Sequence, residues 1–174
     1  MEYWDIYDKD GHFTGRKKGK YEKWGEDEYH LATEVWVINS KKQILIQQRS
    51  EKCQLLPGIW ALTTGRVVSG ETTRQGCIRE LKEETGLDLL DVNNDYTIEK
   101  TYLSPGMTDE SIALVFCTCD GELNKDGLED DEDIEAILVS QEEARKILKS
   151  KEKMDVKAFL MLQNFALLGE KLFL

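Results

Sequence analysis

Positive charge is scarce in this chain. Against 34 acidic residues stand 23 lysines and arginines, and the net charge is -11 over 174 residues. A surface this acidic repels a phosphate backbone, which argues against long nucleic acids as partners. Small anionic substrates remain compatible with it where a metal supplies local positive charge. Cysteine is also sparse, with four residues at 53, 77, 117 and 119. None forms a CxxC pair, so a zinc site is not expected, and neither is a disulfide framework in a chain of this size. Reduced, mostly buried thiols are the expectation, with Cys117 and Cys119 spaced for one strand face. No hydrophobic run approaches membrane-spanning length, and the opening MEYWDIYDKDG has no apolar signal core. These absences predict a cytoplasmic protein with no membrane partner. There is no internal repeat, low-complexity tract or interdomain linker. With 40% hydrophobic and 33% charged residues, residues 1–174 read as a single globular domain.

What the chain does have is concentrated between Gly65 and Leu87, GRVVSGETTRQGCIRELKEETGL. Its fixed positions read G-x5-E-x7-R-E-U-x-E-E-x-G-U, with U a bulky aliphatic residue. The glycines at 65, 70 and 76 favour a loop running into a helix, and Gly86 is a natural helix stop. On a helix, Glu80, Glu83 and Glu84 fall within an arc of roughly 100°. Like charges on one face repel each other unless a cation sits among them. Hard oxygen ligands of this kind suit Mg²⁺ or Mn²⁺.

Around this stretch the pattern predicts an N-terminal extension over residues 1–28. It starts with a strand at 3–8, a turn at Lys9-Asp10-Gly11 and a return opening at Phe13, and continues as a surface loop over Gly15–Glu28. Strands are expected at His30–Ile38, Gln43–Arg49, Trp60–Val68, Tyr96–Leu103, Ser111–Cys119 and Ile134–Val139. Helices are expected at about Thr72–Thr85, from a capping box at Ser140 and Glu143 to about Lys149, and over roughly Asp155–Leu168. Strands mixed with a central helix and two C-terminal helices predict an α+β fold, with mixed β-sheets sandwiched between helices.

The stretch Gly65–Leu87 resembles the Nudix box at every fixed position. That family hydrolyses a nucleoside diphosphate linked to another group and needs a divalent cation, and its fold is the same α/β/α sandwich. Downstream, Ser104-Pro105-Gly106-Met107-Thr108-Asp109-Glu110 resembles a segment of ADP-ribose pyrophosphatases, and Glu132-Asp133-Ile134-Glu135 resembles their C-terminal part, where an acidic loop supplies a carboxylate. The N-terminal half, through Glu28-Tyr29-His30-Leu31 and Pro57-Gly58-Ile59-Trp60, resembles the isopentenyl diphosphate isomerase-like Nudix group. True isomerases carry a catalytic cysteine after that tryptophan. Here the stretch is Ala61-Leu62-Thr63-Thr64-Gly65, and isomerase chemistry is not expected.

The resemblance implies a metal-dependent pyrophosphohydrolase for a small nucleotide, with ADP-ribose or a similar sugar nucleotide foremost. Alternatives are a nucleoside di- or triphosphate hydrolase, a non-catalytic ligand sensor, or an isomerase-like enzyme. Glu80, Glu83, Glu84 and the Gly65 carbonyl are the implied metal ligands. Glu71 and Arg79 are read as an ion pair that orients the helix. Glu132, Glu80 and Glu110 are candidates to accept the proton of the attacking water. Arg49 and Arg66 are candidates for a phosphate. Trp60 and Trp36 are candidates for base stacking or for core packing, and Pro105 and Glu110 for substrate contact. His30 either helps the substrate or satisfies a strand neighbour. The apolar tail Phe165–Leu174 is either a homodimer contact or part of a core helix.

Overall fold

A computed structural model describes residues 2–53, 56–104, 107, 110–128 and 133–174. Its first element is a hairpin of β1 (Tyr3–Tyr7) and β2 (Phe13–Gly19), paired antiparallel around the expected turn. The return strand runs to Gly19, where the sequence suggested loop from Gly15. Its residues FTGRKKG are mostly exposed, so apolar alternation could not mark it.

The main sheet is eight-stranded and is built on β3 (Ala32–Asn39), β4 (Ile44–Arg49), β7 (Asp88–Val92), β9 (Ser111–Asp120) and β10 (Ile134–Val139), in the order β10-β4-β3-β9-β7. β3 and β9 run parallel, whereas the other pairings are antiparallel. β3 and β4 share only the Ile38–Ile44 pair before they separate. The next segment fills that gap as two short strands, β5 (Trp60–Ala61) on β4 and β6 (Thr63–Arg66) on β3. The single strand expected over Trp60–Val68 is therefore split at Leu62, whose side chain is buried in the core. β8 (Ile98–Tyr102) pairs with the first half of β9, and β7 with the second. β7 had no sequence signal, because DLLDV is mostly exposed and only Val92 is buried.

Side-chain alternation on the central strands separates two cores. Val35, Val37 and Leu45 face helix α1 (Thr73–Thr85) and pack with Cys77, Leu81 and Leu87. Trp36, Ile38, Ile44 and Ile46 face the opposite way. They pack with Ala144 of α2 (Gln141–Ser150) and with Met161, Leu162 and Phe165 of α3 (Val156–Leu168). The result is helix, sheet, helix, the expected α+β sandwich. Trp36 is a core residue whose indole Nε1 donates to Glu34 at 3.1 Å. Of the apolar tail, Phe165 and Phe173 are buried, while Leu167, Leu168 and Leu174 are exposed. Cys77, Cys117 and Cys119 are buried free thiols, with Cys117 and Cys119 in the same core. Among the described residues no helix is long and apolar enough to cross a membrane.

Candidate active site

α1 begins at a capping box. The Thr72 side chain accepts from the Gln75 N–H, and the Gln75 side chain accepts from the Thr72 N–H at 2.8 Å. It ends at Gly86 in the left-handed conformation, with φ 78° and its N–H donating to the Lys82 carbonyl. Between these ends Cys77, Leu81 and Thr85 lie buried against the sheet, and Glu80 and Glu84 are buried with them. Glu83, one step around the helix, is half-buried.

Arg79 holds this acidic group together. Its Nε and Nη2 donate to the two oxygens of Glu71 at 2.9 and 3.1 Å, and Nη2 also reaches the Arg66 carbonyl at 2.8 Å. Its Nη1 donates to Glu80 Oε1 and Glu83 Oε2, each at 3.0 Å. The sequence paired Arg79 with Glu71 alone, but the guanidinium also offsets the mutual repulsion of Glu80 and Glu83. Burial opposes charge on Arg79, yet the bond to Glu71 and the charge of Glu80 drive its pKa above the ordinary range. Burial likewise works against Glu71 ionisation. The Arg79 bond and the Val68 N–H overcome it and hold the carboxyl below its usual value.

β6 delivers Gly65 to this group. Gly65 pairs with Thr33 on β3, and a Cβ at position 65 would lie 1.8 Å from the Glu80 carboxyl carbon. Only glycine lets the backbone come so close, and this places the strand beside the Glu80 carboxylate. An all-oxygen set of a peptide carbonyl and carboxylates is what a hard divalent cation takes, so the donor chemistry of these residues fits such an ion.

Gly65, Glu80, Glu83 and Arg79 line a cleft of about 380 Å³, together with Arg66, Glu110, His30, Trp4 and Lys20. Glu84 is buried and does not line it. Two other sequence candidates lie elsewhere. Arg49 lines a separate cleft with Ser50 and Asp133. Trp60 packs against the α3 core, and its Nε1 donates to Glu152 at 2.7 Å. Both were chosen for residue type, and the divergence of β4, with β5 paired to it, from β3 carries them away from the cleft. Pro105 and Glu132 lie outside the described residues. Asp8, Asp10 and His12 bring ligand atoms within 4.8 Å of one another in the hairpin turn, but Asp8 there accepts the backbone N–H groups of Asp10 and His12.

The cleft contains residues that sequence reasoning passed over, chiefly Trp4 and Lys20 of the hairpin region. No local signal marked them, since they reach the cleft only through tertiary docking. The hairpin is fastened to the loop before α1. Asp5 accepts from the Ser69 hydroxyl at 2.6 Å and the Gly70 N–H at 3.3 Å, and the Ser69 N–H donates to the Tyr3 carbonyl at 2.8 Å.

A helix that presents carboxylates beside a close-approaching glycine strand concentrates oxygen donors of the kind a hard divalent cation takes. The comparisons agree with that geometry. A family model described as NUDIX domain matches residues 28–162. An uncharacterised Nudix hydrolase of Listeria monocytogenes is 31% identical over 153 residues, covering 87% of this chain and 88% of its own. An isopentenyl-diphosphate Delta-isomerase of Salmonella heidelberg is 34% identical over 68 residues, 38% of each chain. Among solved structures, a protein from Deinococcus radiodurans superposes with a TM-score of 0.57 at 18% identity, covering 93% of this chain and 98% of its own. A MutT protein from Methanosarcina mazei gives 0.52 at 23% identity, covering 82% and 96%. The chain belongs to the Nudix hydrolase family. It is a hydrolase of pyrophosphate bonds in small molecules, in a family whose enzymes use divalent metals.

Proposed function

We propose that the protein is a Mg²⁺- or Mn²⁺-dependent pyrophosphohydrolase that splits ADP-ribose, or a similar sugar nucleotide, into two monophosphates. The observation that carries this reading is the convergence of Glu80, Glu83 and the Gly65 strand on one cleft, with Arg66 and Lys20 in the same wall. Its volume suits a small ligand. Glu80, Glu83, Glu84 and the Gly65 carbonyl would hold the cation. When bound, a divalent cation neutralises diphosphate charge and acidifies water. Arg79 and Glu71 fix the helix face, and Arg66 offers a fork of donors to a phosphate oxygen.

The ADP-ribose assignment rests on the sequence of Ser104–Glu110, supported by Glu110 and Ser111 lining the cleft. Glu132 is the favoured proton acceptor. Gly127, upstream of its segment, supports this choice, since it packs against the backbone of Glu83, where a Cβ would come within 2.7 Å of the Glu83 Cα. The isomerase alternative finds no support in the cleft, since no cysteine is among its described lining residues.

Chromatographic product analysis with Mg²⁺ tests the reading on ADP-ribose, sugar nucleotides and nucleoside di- and triphosphates. AMP and ribose 5-phosphate from ADP-ribose, lost in Glu84→Gln, are expected. Preference for nucleoside di- or triphosphates would overturn the substrate, and binding without turnover would point to a sensor. Glu132→Gln should slow the reaction by about 10²-fold or more. A full rate in that variant would remove Glu132 from the role.

A further inference from the structure

The matched family region begins at residue 28, yet the hairpin before it reaches into the catalytic cleft. The contact centres on Arg66. Its guanidinium carbon lies 4.3 Å from the centroid of the Trp4 ring, a cation–π distance. Its Nε donates to His30 Nε2 at 3.0 Å. Trp4 is only 2% exposed, and it is stacked on His30 at 5.5 Å between ring centroids, with Trp24 at 6.0 Å from Trp4 and 5.1 Å from His30. Trp4 and His30 therefore hold one arginine by its face and its Nε edge, and Trp24 packs against both of them.

Arg66 forms no ion pair with a carboxylate among the described residues. Its hydrogen-bond partner is a histidine that must be neutral to accept. Burial, and then the charge of Arg66 itself, lower the His30 pKa to about 4, so it stays neutral at ordinary pH. An arginine fixed along Nε and over an aromatic face, with its two terminal nitrogens making no hydrogen bond to the described residues, is arranged to receive an anion. It lines the same cleft as Glu80 and Glu83, so the anion it meets belongs to whatever those carboxylates process.

We infer that the N-terminal hairpin builds an anion subsite in this enzyme, in which Trp4 and His30 are positioning residues that hold Arg66 against a phosphate oxygen of the diphosphate substrate. The inference rests on the pyrophosphohydrolase reading for its substrate class, but not on ADP-ribose in particular. The pair of contacts divides the work. The carboxylate side addresses the substrate through a cation, and the Arg66 side addresses it directly. Fixing the arginine beforehand removes rotamer entropy that binding would otherwise have to overcome.

The test measures affinity for imidodiphosphate in the presence of Mg²⁺ by calorimetry, alongside steady-state hydrolysis of ADP-ribose. Arg66→Ala should weaken imidodiphosphate binding by roughly ten- to a hundredfold. Trp4→Leu should reproduce part of that loss with the fold retained by circular dichroism, and Trp4→Phe, which keeps an aromatic face, should recover most of it. In hydrolysis the variants should raise KM more than they lower kcat. Trp4→Leu added to Arg66→Ala should cost little further affinity, because the tryptophan acts through the arginine. Unchanged imidodiphosphate affinity in Arg66→Ala, or fully additive losses in the double variant, would overturn the inference. Wild-type protein that binds imidodiphosphate but leaves ADP-ribose intact would sink the substrate assignment alone.

Discussion

Gly65 shows how little freedom the site leaves at single positions. A methyl group there would sit 1.8 Å from the Glu80 carboxyl carbon, so the Glu80 side chain or the strand must move. Gly65→Ala should cost about 1–3 kcal/mol in chemical denaturation, and it should lose activity beyond that, since the carboxylate it displaces is a proposed metal ligand. Glu34 is the other residue under strong constraint. It is 1% exposed and accepts from Trp36 and Thr64, with Lys157 Nζ 3.5 Å away. Burial pushes its pKa from 4.5 up to about 7, against the pull of Lys157 and Trp36. A carboxyl whose folded pKa is raised stabilises the fold fully below its unfolded pKa, and this contribution is lost as pH rises through the folded one. Melting temperature should therefore carry a component that falls between pH 4.5 and about 7, and Glu34→Gln should flatten it.

Elements differ in how far local chemistry determines them. α1 could be read from sequence because its start, stop and buried stripe are all local: the Thr72 box, Gly86, and the Cys77, Leu81 and Thr85 face. Thr72→Ala should lower stability by about 1 kcal/mol in thermal unfolding, leaving the cleft residues in place. The acidic face of that helix was equally legible, since its spacing places Glu80, Glu83 and Glu84. What could not be read was decided by distant partners. The break at Leu62 follows from the divergence of β3 and β4. β7 is an edge strand defined by β9 rather than by its own pattern. The Arg79 contacts to Glu80 and Glu83 follow from helix geometry, but they competed with the stronger signal of Glu71. Trp4 had no local reason to be assigned to a site, because its neighbours Arg66 and His30 meet it only when the hairpin docks.

For the molecule as a whole, the proposed cation is a matter of stability as well as catalysis. A ligand that binds only the folded state raises stability by about 2.7 kcal/mol at a hundred times its Kd. Mg²⁺ should therefore raise the melting temperature, and Glu83→Gln should reduce that rise. Chelation with EDTA should reverse the rise in the wild type. The parallel pairing at the centre of the sheet has a different consequence, in the order of assembly. Asn39 pairs with Cys119, and the Ser40 hydroxyl donates to Asp120 across 80 residues of sequence. On a growing chain β3 must wait, one edge unpaired, until more than two-thirds of these 174 residues have been made. Closing so long a loop is slow, and an open strand edge in the meantime invites pairing with another chain. The vulnerable interval for this protein is thus during its synthesis, and its yield in a cell should respond to chaperone capacity more than its melting temperature would suggest.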